Sequence, residues 1–123
     1  MLPIESIVFD VGNVLIPWNH RWLFRKLLPD EAALERFLDE VDFVGWNTRI
    51  DAGLAVAAGI AERGARFPQY RHLLQAYFDR WEESIGEHDA EVLALARGLR
   101  NAGYRTLALT NFSTLVATKA ARI

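Results

Sequence analysis

The sequence predicts an α/β fold, a small parallel sheet whose two strands are separated by a long helical insertion. Two short apolar runs, at residues 4–9 and 104–109, have the composition of buried strands. The stretch between them carries helical patterns and no strand pattern. Because a helix immediately precedes the second run, a right-handed crossover is expected, and the two strands should run parallel.

The first strand ends at a carboxylate. Residues 7–9 form a continuous apolar run, which is typical of a parallel strand covered on both faces. The run stops at Asp10, and Gly12 and Asn13 follow it, two residues that suit a tight turn or a positive φ. We therefore expect Asp10 on a loop at the carboxyl end of a strand.

Helical patterns fill residues 19–85. Asp30 is the predicted N-cap of a helix whose apolar residues recur on one face. A second helix, rich in small residues, is predicted over 51–63, and a connection over 64–68. The clearest helical stripe in the chain consists of Tyr70, Leu73, Leu74, Tyr77, Phe78, Trp81 and Ile85.

After the insertion the chain returns to the sheet. A helix is predicted over 89–102, with Gly103 as its C-terminal stop, and the second strand follows at 104–109. A doubly wound sheet usually has about five or six strands. Two strands therefore predict that part of the sheet is missing on the C-terminal side.

Composition excludes several classes of protein. The 123 residues fit one domain or a small domain with an insertion, and 51% apolar with 24% charged residues argues against disorder. A net charge of −2 gives no electrostatic reason to bind nucleic acid or an anionic membrane, and the lack of cysteine excludes disulfides and thiol catalysis.

The start of the chain shows no secretory signal pattern, and no apolar run has bilayer length, so a cytoplasmic protein is expected.

Asp10 is the strongest candidate for a catalytic residue. Ligands of open α/β sheets bind outside the carboxyl ends of the strands. A carboxylate there can attack an electrophilic carbon or phosphorus and form a covalent ester or an aspartyl phosphate. The alternative, an aspartate that merely starts a turn, stays open on spacing alone.

A second polar motif follows the second strand. Thr110 and Asn111 come where that strand ends, and Ser113 is the expected N-cap of a last helix over 114–121. A hydroxyl, an amide and free helix N–H groups together suit an anion. Turn and capping chemistry is the commoner use of these residue types, and this alternative stays open for the motif taken alone.

Taken together, the two motifs resemble those of the haloacid-dehalogenase-like (HAD) hydrolase superfamily. Residues 7–15 are similar to the first family motif, in which an apolar strand leads to a nucleophilic Asp, a Gly and a small apolar pair. Residues 107–111 are similar to the second motif, an apolar strand that ends in Thr or Ser. The helical block between them resembles the cap that the family inserts after the first motif.

This resemblance implies a fold and a division of the chain. Residues 1–17 and 87–123 would form an incomplete α/β core, a partial Rossmann-like (HAD-type) parallel sheet. Residues 18–86 would form the helical cap, which closes over the substrate and excludes water.

The resemblance also implies roles for individual residues. Asp10 would be the nucleophile, and the backbone carbonyl of Gly12 would join it in binding Mg²⁺ in a phosphatase-like member, whereas a dehalogenase-like member needs no cofactor. Thr110 would bind the phosphoryl or carboxylate oxygens of a small anionic substrate, with support from Asn111.

Two further positions are predicted to contact the substrate. Asn13 belongs to the loop that follows the nucleophile, and Trp18 follows that loop closely. Trp46 is a weaker candidate for the lining of a pocket, and its more frequent role is to fill the helical block.

The sequence departs from the family pattern in two ways. Many HAD phosphatases have a general-acid Asp two residues after the nucleophile, where this chain has Gly12. A halide leaves without a proton, so a 2-haloacid dehalogenase tolerates this loss, and some sugar-phosphate phosphatases share the pattern. Gly12 therefore leaves the choice between phosphatase and dehalogenase open.

The second departure concerns the later family motifs, which supply a Lys and acidic residues. Lys119 lies too close to Thr110 in the chain for that role and is expected to be a solvated helix residue. On this interpretation the chain is truncated after the second motif, and its activity is impaired unless a partner chain supplies those groups. The alternative is a non-catalytic interaction or remnant protein that self-associates, as a homodimer for example, through an exposed sheet edge.

The remaining polar residues give weaker signals. His20, His72 and His88 share no metal-ligand spacing. Three arginines of the insertion offer a positive charge for an anionic substrate, although a solvated helix face is the commoner place for such residues. They are Arg21, Arg25 and Arg49.

Overall fold

A two-stranded parallel sheet and seven α-helices make up the described part of this protein, a computed structural model that covers residues 3–110 and 112–120. The fold is mixed α/β and mostly helical. Its elements follow in the order β1 (Ser6–Asp10), α1 (His20–Leu27), α2 (Glu31–Glu40), α3 (Phe43–Asp51), α4 (Val56–Arg66), α5 (Arg71–Asp79), α6 (Ala90–Asn101), β2 (Arg105–Leu109) and α7 (Thr114–Ala120), with short 3₁₀ helices at Pro68–Tyr70 and Trp81–Ser84.

The described residues divide into two compact units. The sheet unit comprises residues 3–18 and 85–110, and the helical unit comprises Asn19–Ser84 together with residues 112–120. The last predicted helix was expected to belong to the α/β part, as a portion of 87–123. In the structure α7 instead belongs to the helical unit, where it packs against the 3₁₀ helix Trp81–Ser84.

In the sheet unit, β1 and β2 pair in parallel, as the crossover pattern predicts. Helix α6 connects to β2 and packs on it. The Asp89 side chain caps α6 by accepting hydrogen bonds from the backbone amides of Glu91 (3.0 Å) and Val92 (3.1 Å). Gly103 then ends the segment with φ +97°, which confirms the predicted glycine stop.

One expectation about this sheet is wrong. The continuous apolar run predicts a strand buried on both faces, but burial alternates along β1, with Ile7 and Phe9 half-buried and Val8 55% exposed. The reason is that α6 covers one face of the sheet only, so the period-2 alternation of a half-covered strand results.

The helical unit has an aromatic core. Phe24 of α1, Phe43 and Trp46 of α3, and Tyr77 of α5 are each at most 2% exposed. Their rings meet mostly edge to face; for example, the centroids of Phe43 and Tyr77 are 5.0 Å apart at 86°. The Trp46 indole N–H donates to the Gly59 carbonyl at 3.0 Å, so the polar atom of this buried ring is satisfied.

Several helix boundaries differ from the predicted ones. Helix α4 continues to Arg66, so residues 64–66 of the connection expected over 64–68 are helical. The helix expected over 51–63 begins instead at Val56, because α3 ends at Asp51 and Gly53 makes a turn with φ +121°. The stripe expected from Tyr70 onward is continuous only to Asp79. The small residues around Gly53 gave no signal for the turn there. The apolar stripe from Tyr70 continues without a break, so it gave no signal for the end of the helix at Asp79.

Lys119 does not lie free in solvent, which corrects its assignment as a solvated helix residue. Its ammonium group donates to the backbone carbonyls of Phe78 (2.6 Å) and Asp79 (3.4 Å), at the C-terminus of α5. A cation at this end of a helix satisfies carbonyls that have no intrahelical partner and complements the helix dipole. Lys119 therefore ties α7 to α5.

Replacing Lys119 with Met should lower the free energy of unfolding by about 2 kcal/mol, because charge-assisted hydrogen bonds to the α5 carbonyls are lost. Urea denaturation followed by circular dichroism measures this. Lys26→Met is the matched control, since Lys26 makes only a surface ion pair with Glu83 and should cost about 0.5 kcal/mol. Equal costs for the two variants would contradict the tying role of Lys119.

Among the described residues, no helix combines the length and the apolar character needed to cross a lipid bilayer.

Candidate functional site

The carboxyl ends of the two strands lie at one edge of the sheet. Asp10, the last residue of β1, pairs with Leu109, the last residue of β2. The Val11 amide extends the ladder by donating to the Leu109 carbonyl at 3.0 Å. Thr110 follows Leu109 directly, so the parallel register brings the acid-bearing and the hydroxyl-bearing strand ends to the same edge.

The carboxylate of Asp10 is available at this edge. Asp10 is exposed, and no described residue donates a hydrogen bond to its carboxylate or forms an ion pair with it. A structural turn-starting aspartate would normally accept a bond from a backbone amide one to three residues ahead. Asp10 makes no such bond within the described chain, so local turn chemistry does not account for it.

The loop after Asp10 is a tight turn closed by backbone hydrogen bonds. The carbonyl of Val11 accepts from the amides of Leu15 (3.1 Å) and Ile16 (3.0 Å), and the Asn13 amide donates to the Ile16 carbonyl (2.8 Å). The positive φ anticipated for this loop is found at Asn13 (φ +59°) and not at Gly12. Asparagine tolerates this left-handed conformation better than most residues.

The side chain of Asn13 has a structural partner. Its Oδ1 atom accepts a hydrogen bond from the backbone amide of Trp18 at 2.8 Å. Trp18 in turn makes an isolated antiparallel bridge with Ile85, so it joins the two chain segments of the sheet unit. Asn13 and Trp18, both predicted to contact the substrate, therefore brace the loop that carries Gly12.

Gly12 is half-buried in this loop, and its position is compatible with the predicted carbonyl ligand role. The donor set for a metal is nevertheless small. Within the described chain there is no group of three or more His, Cys, Asp or Glu side chains that would hold a metal ion. One carboxylate, Asp10, and one carbonyl, Gly12, fall short of the oxygen ligands that Mg²⁺ takes from proteins unless substrate and water supply the rest.

Thr110 is exposed immediately beyond β2. Asn111, the other predicted anion-binding residue, lies outside the described residues. Ser113 caps α7, since its Oγ atom accepts from the Val116 amide at 3.4 Å, as the sequence predicts; the expected end of that helix at Ala121 also lies outside the described residues.

The three arginines that were candidates for binding an anionic substrate are engaged with glutamates. Arg21 makes a two-pronged pair with Glu35, and Arg49 makes another with Glu62 at 2.9 and 3.1 Å. Arg25 bonds Glu31 at 2.8 Å. Because each guanidinium already has a carboxylate partner, none carries an uncompensated positive charge for a substrate.

Trp46, a weaker candidate for the lining of a pocket, is 1% exposed in the helical core, so the core interpretation is confirmed.

Sequence reasoning missed Asp51. This residue closes α3, and its Oδ1 atom accepts a hydrogen bond from the Ser113 amide at 3.0 Å. Burial raises the pKa of the Asp51 carboxyl, and the bond from Ser113 opposes that shift. No spacing signal connects residues 62 positions apart, so only the folded chain reveals the contact.

Comparisons with protein-family models, with curated proteins and with solved structures found no match to this chain.

Proposed function

We propose that this chain is a hydrolase of the HAD type, with a partial Rossmann-like sheet and a helical cap, in which Asp10 forms a covalent ester with a small anionic substrate. The observation that carries the proposal is the parallel register of Asp10 with Leu109, next to Thr110. Support also comes from the exposed Asp10 carboxylate, which no described residue engages.

In the first step, a carboxylate oxygen of Asp10 attacks the phosphorus of a phosphate monoester, or the halogen-bearing carbon of a 2-haloacid. A new bond to that oxygen forms while the bond to the leaving group breaks, and the electron pair departs with the leaving group. In the second step, water hydrolyses the ester and regenerates the carboxylate. Thr110, with Asn111, would hydrogen-bond the anionic oxygens of the substrate.

Gly12 has a chemical consequence for the leaving group. With no carboxyl group at this position, the loop supplies no general acid to protonate a departing alkoxide. Leaving groups that depart as stable anions, such as a halide or an acidic phenol, are therefore favoured. The proposal includes phosphatase-like and dehalogenase-like chemistry, since both leaving groups meet this condition.

Magnesium belongs to the phosphatase-like version only. Asp10 and the Gly12 carbonyl would hold it, and the ion would neutralise charge on the phosphoryl oxygens. These two groups make a sparse set of ligands for this ion. A dehalogenase-like reaction proceeds on the residues of the chain without it.

Turnover is expected to be slow. Neither lysine in the sequence supplements the site, because Lys26 pairs with Glu83 and Lys119 bonds the carbonyls of α5. The charge of Asp10 and a bound anion is therefore poorly compensated.

Two parallel assays test the proposal and separate its versions. p-Nitrophenyl phosphate with and without Mg²⁺ tests the phosphatase-like version, and 2-chloropropionate without metal tests the dehalogenase-like version. Intact-mass spectrometry of the protein in each reaction detects the ester, which should accumulate if its hydrolysis is slow. We expect one of the two substrates to give product or adduct. If neither substrate gives product or adduct, the proposal is wrong.

The second candidate function is self-association through the sheet, without catalysis. The observation that favours it is a row of exposed apolar side chains on the strands, with Val8 55%, Leu107 39% and Leu109 63% exposed. A second copy of the chain is the proposed occupant. Sedimentation velocity over a concentration series distinguishes a dimer from a monomer, and a monomer at every concentration rules this candidate out.

A further inference from the structure

The helical unit contains a half-open cavity of about 320 Å³ next to the carboxylate of Asp51. Pockets for small molecules start at about this size. Apart from Asp51 and Ser113, the lining residues are apolar or glycine, and polar and apolar atoms contribute similar shares of the cavity surface. The main residues of the wall are Ile50, Asp51, Leu54, Val56, Phe112 and Ser113.

Asp51 is a half-buried carboxylate that lines this cavity. Among the described residues, its two oxygens accept hydrogen bonds from two neutral donors, the Ser113 amide at 3.0 Å and the Asn47 side-chain amide at 3.4 Å. Within the described chain no Lys, Arg or His side chain forms an ion pair with it, and none lines the cavity. A desolvated negative charge beside apolar walls is costly unless a cation joins it.

Two properties define the ligand that fits this cavity: the charge of its polar group and the length of its apolar chain. An anion would meet the Asp51 carboxylate at close range, and an apolar molecule would leave that carboxylate further desolvated. An alkylammonium ion satisfies both parts of the lining. Its N–H groups donate to the remaining lone pairs of Asp51, and its carbon chain lies against Ile50, Leu54 and Val56.

We propose that this cavity binds a small organic cation, a primary ammonium group on a short apolar chain, through the carboxylate of Asp51. The site is independent of the hydrolase chemistry proposed for Asp10. It gives the helical unit a ligand of its own, with a charge opposite to that of the substrate proposed for the sheet edge.

Nuclear magnetic resonance titration of the full chain tests this proposal with n-butylammonium chloride, against n-butanol as the neutral probe of the same shape. The expected result is that n-butylammonium shifts the amide signals of Gly53 and Ser113 and binds at least about tenfold more tightly than n-butanol. Asp51→Asn should abolish this preference. Asp39→Asn and Asp10→Asn are the matched controls and should preserve it, because neither residue lines the cavity.

A second variant keeps the test decisive if Asp51→Asn fails to fold. Val56→Phe fills the cavity and leaves the carboxylate in place, so it should weaken n-butylammonium binding at least about tenfold. Equal binding of n-butylammonium and n-butanol, or full binding by Val56→Phe, would overturn the proposal. Shifts spread over surface carboxylates and absent from Gly53 and Ser113 would overturn it as well.

Discussion

Substitution of Asp10 by Asn is expected to abolish formation of the covalent adduct and to lower the hydrolysis rate at least about a thousandfold. An amide oxygen is a far weaker nucleophile than a carboxylate, and the described chain offers no second carboxylate in the turn that follows β1. The measurement is product release from the active substrate together with intact-mass detection of the ester.

The free energy of unfolding of the Asp10→Asn variant distinguishes a catalytic role of Asp10 from a structural one. Asp10 is exposed and its carboxylate makes no hydrogen bond or ion pair within the described chain, so Asp10→Asn should change the free energy of unfolding by less than about 0.5 kcal/mol. Glu87→Gln removes another exposed carboxylate of the sheet unit and should leave both activity and stability unchanged. Full activity in the Asp10→Asn variant would contradict the proposed nucleophile, and so would a loss shared equally with Glu87→Gln.

The largest loss of stability is expected for Trp46→Ala, at about 3–5 kcal/mol. Trp46 is 1% exposed and packs against Phe43, Tyr77 and Phe78, so truncation leaves a large cavity in the aromatic core. It also leaves the Gly59 carbonyl without the indole N–H that now donates to it at 3.0 Å. Urea denaturation measures the effect, with the midpoint compared at constant m-value.

Two companion variants locate the cause. Trp46→Phe keeps most of the ring volume and loses the hydrogen bond, so its cost should fall between those of the native chain and Trp46→Ala. Val44→Ala lies on the same helix but at a position that is 67% exposed, and it should cost less than about 0.5 kcal/mol. A cost for Trp46→Ala as small as that for Val44→Ala would show that this aromatic cluster does not hold the unit together.

The sequence allowed good predictions wherever local patterns decide structure. The apolar run that ends at Asp10, the cap at Asp30 and the glycine stop at Gly103 each have a local physical cause, and each is found where it was expected. The parallel pairing followed from the helix that precedes β2. Helix boundaries near Gly53 were misplaced, because a glycine among small residues is compatible with both a helix and a turn.

The candidate site was predictable only in part, because local patterns determine some of its features and tertiary contacts determine the others. Asp10 and Thr110 could be assigned to one edge because parallel strands end on the same side. The partner of Asn13, the backbone of Trp18, was not predictable, since a side chain's bond to a distant amide depends on how the loop closes. From the sequence, Arg21 and Arg49 could bind an anionic substrate or lie on a solvated helix face. In the fold, both are paired with glutamates.

The sequence alone determined that a helical insertion separates two strands, that these strands are parallel and that one edge of the sheet carries an acid and a hydroxyl. These features depend on local periodicity and on the handedness of the crossover, which are written into neighbouring residues. Tertiary structure alone decided that Lys119 caps α5 and that Asp51 meets Ser113 beside a cavity. Such contacts join residues far apart in the chain, and packing selects their partners after the local elements have formed.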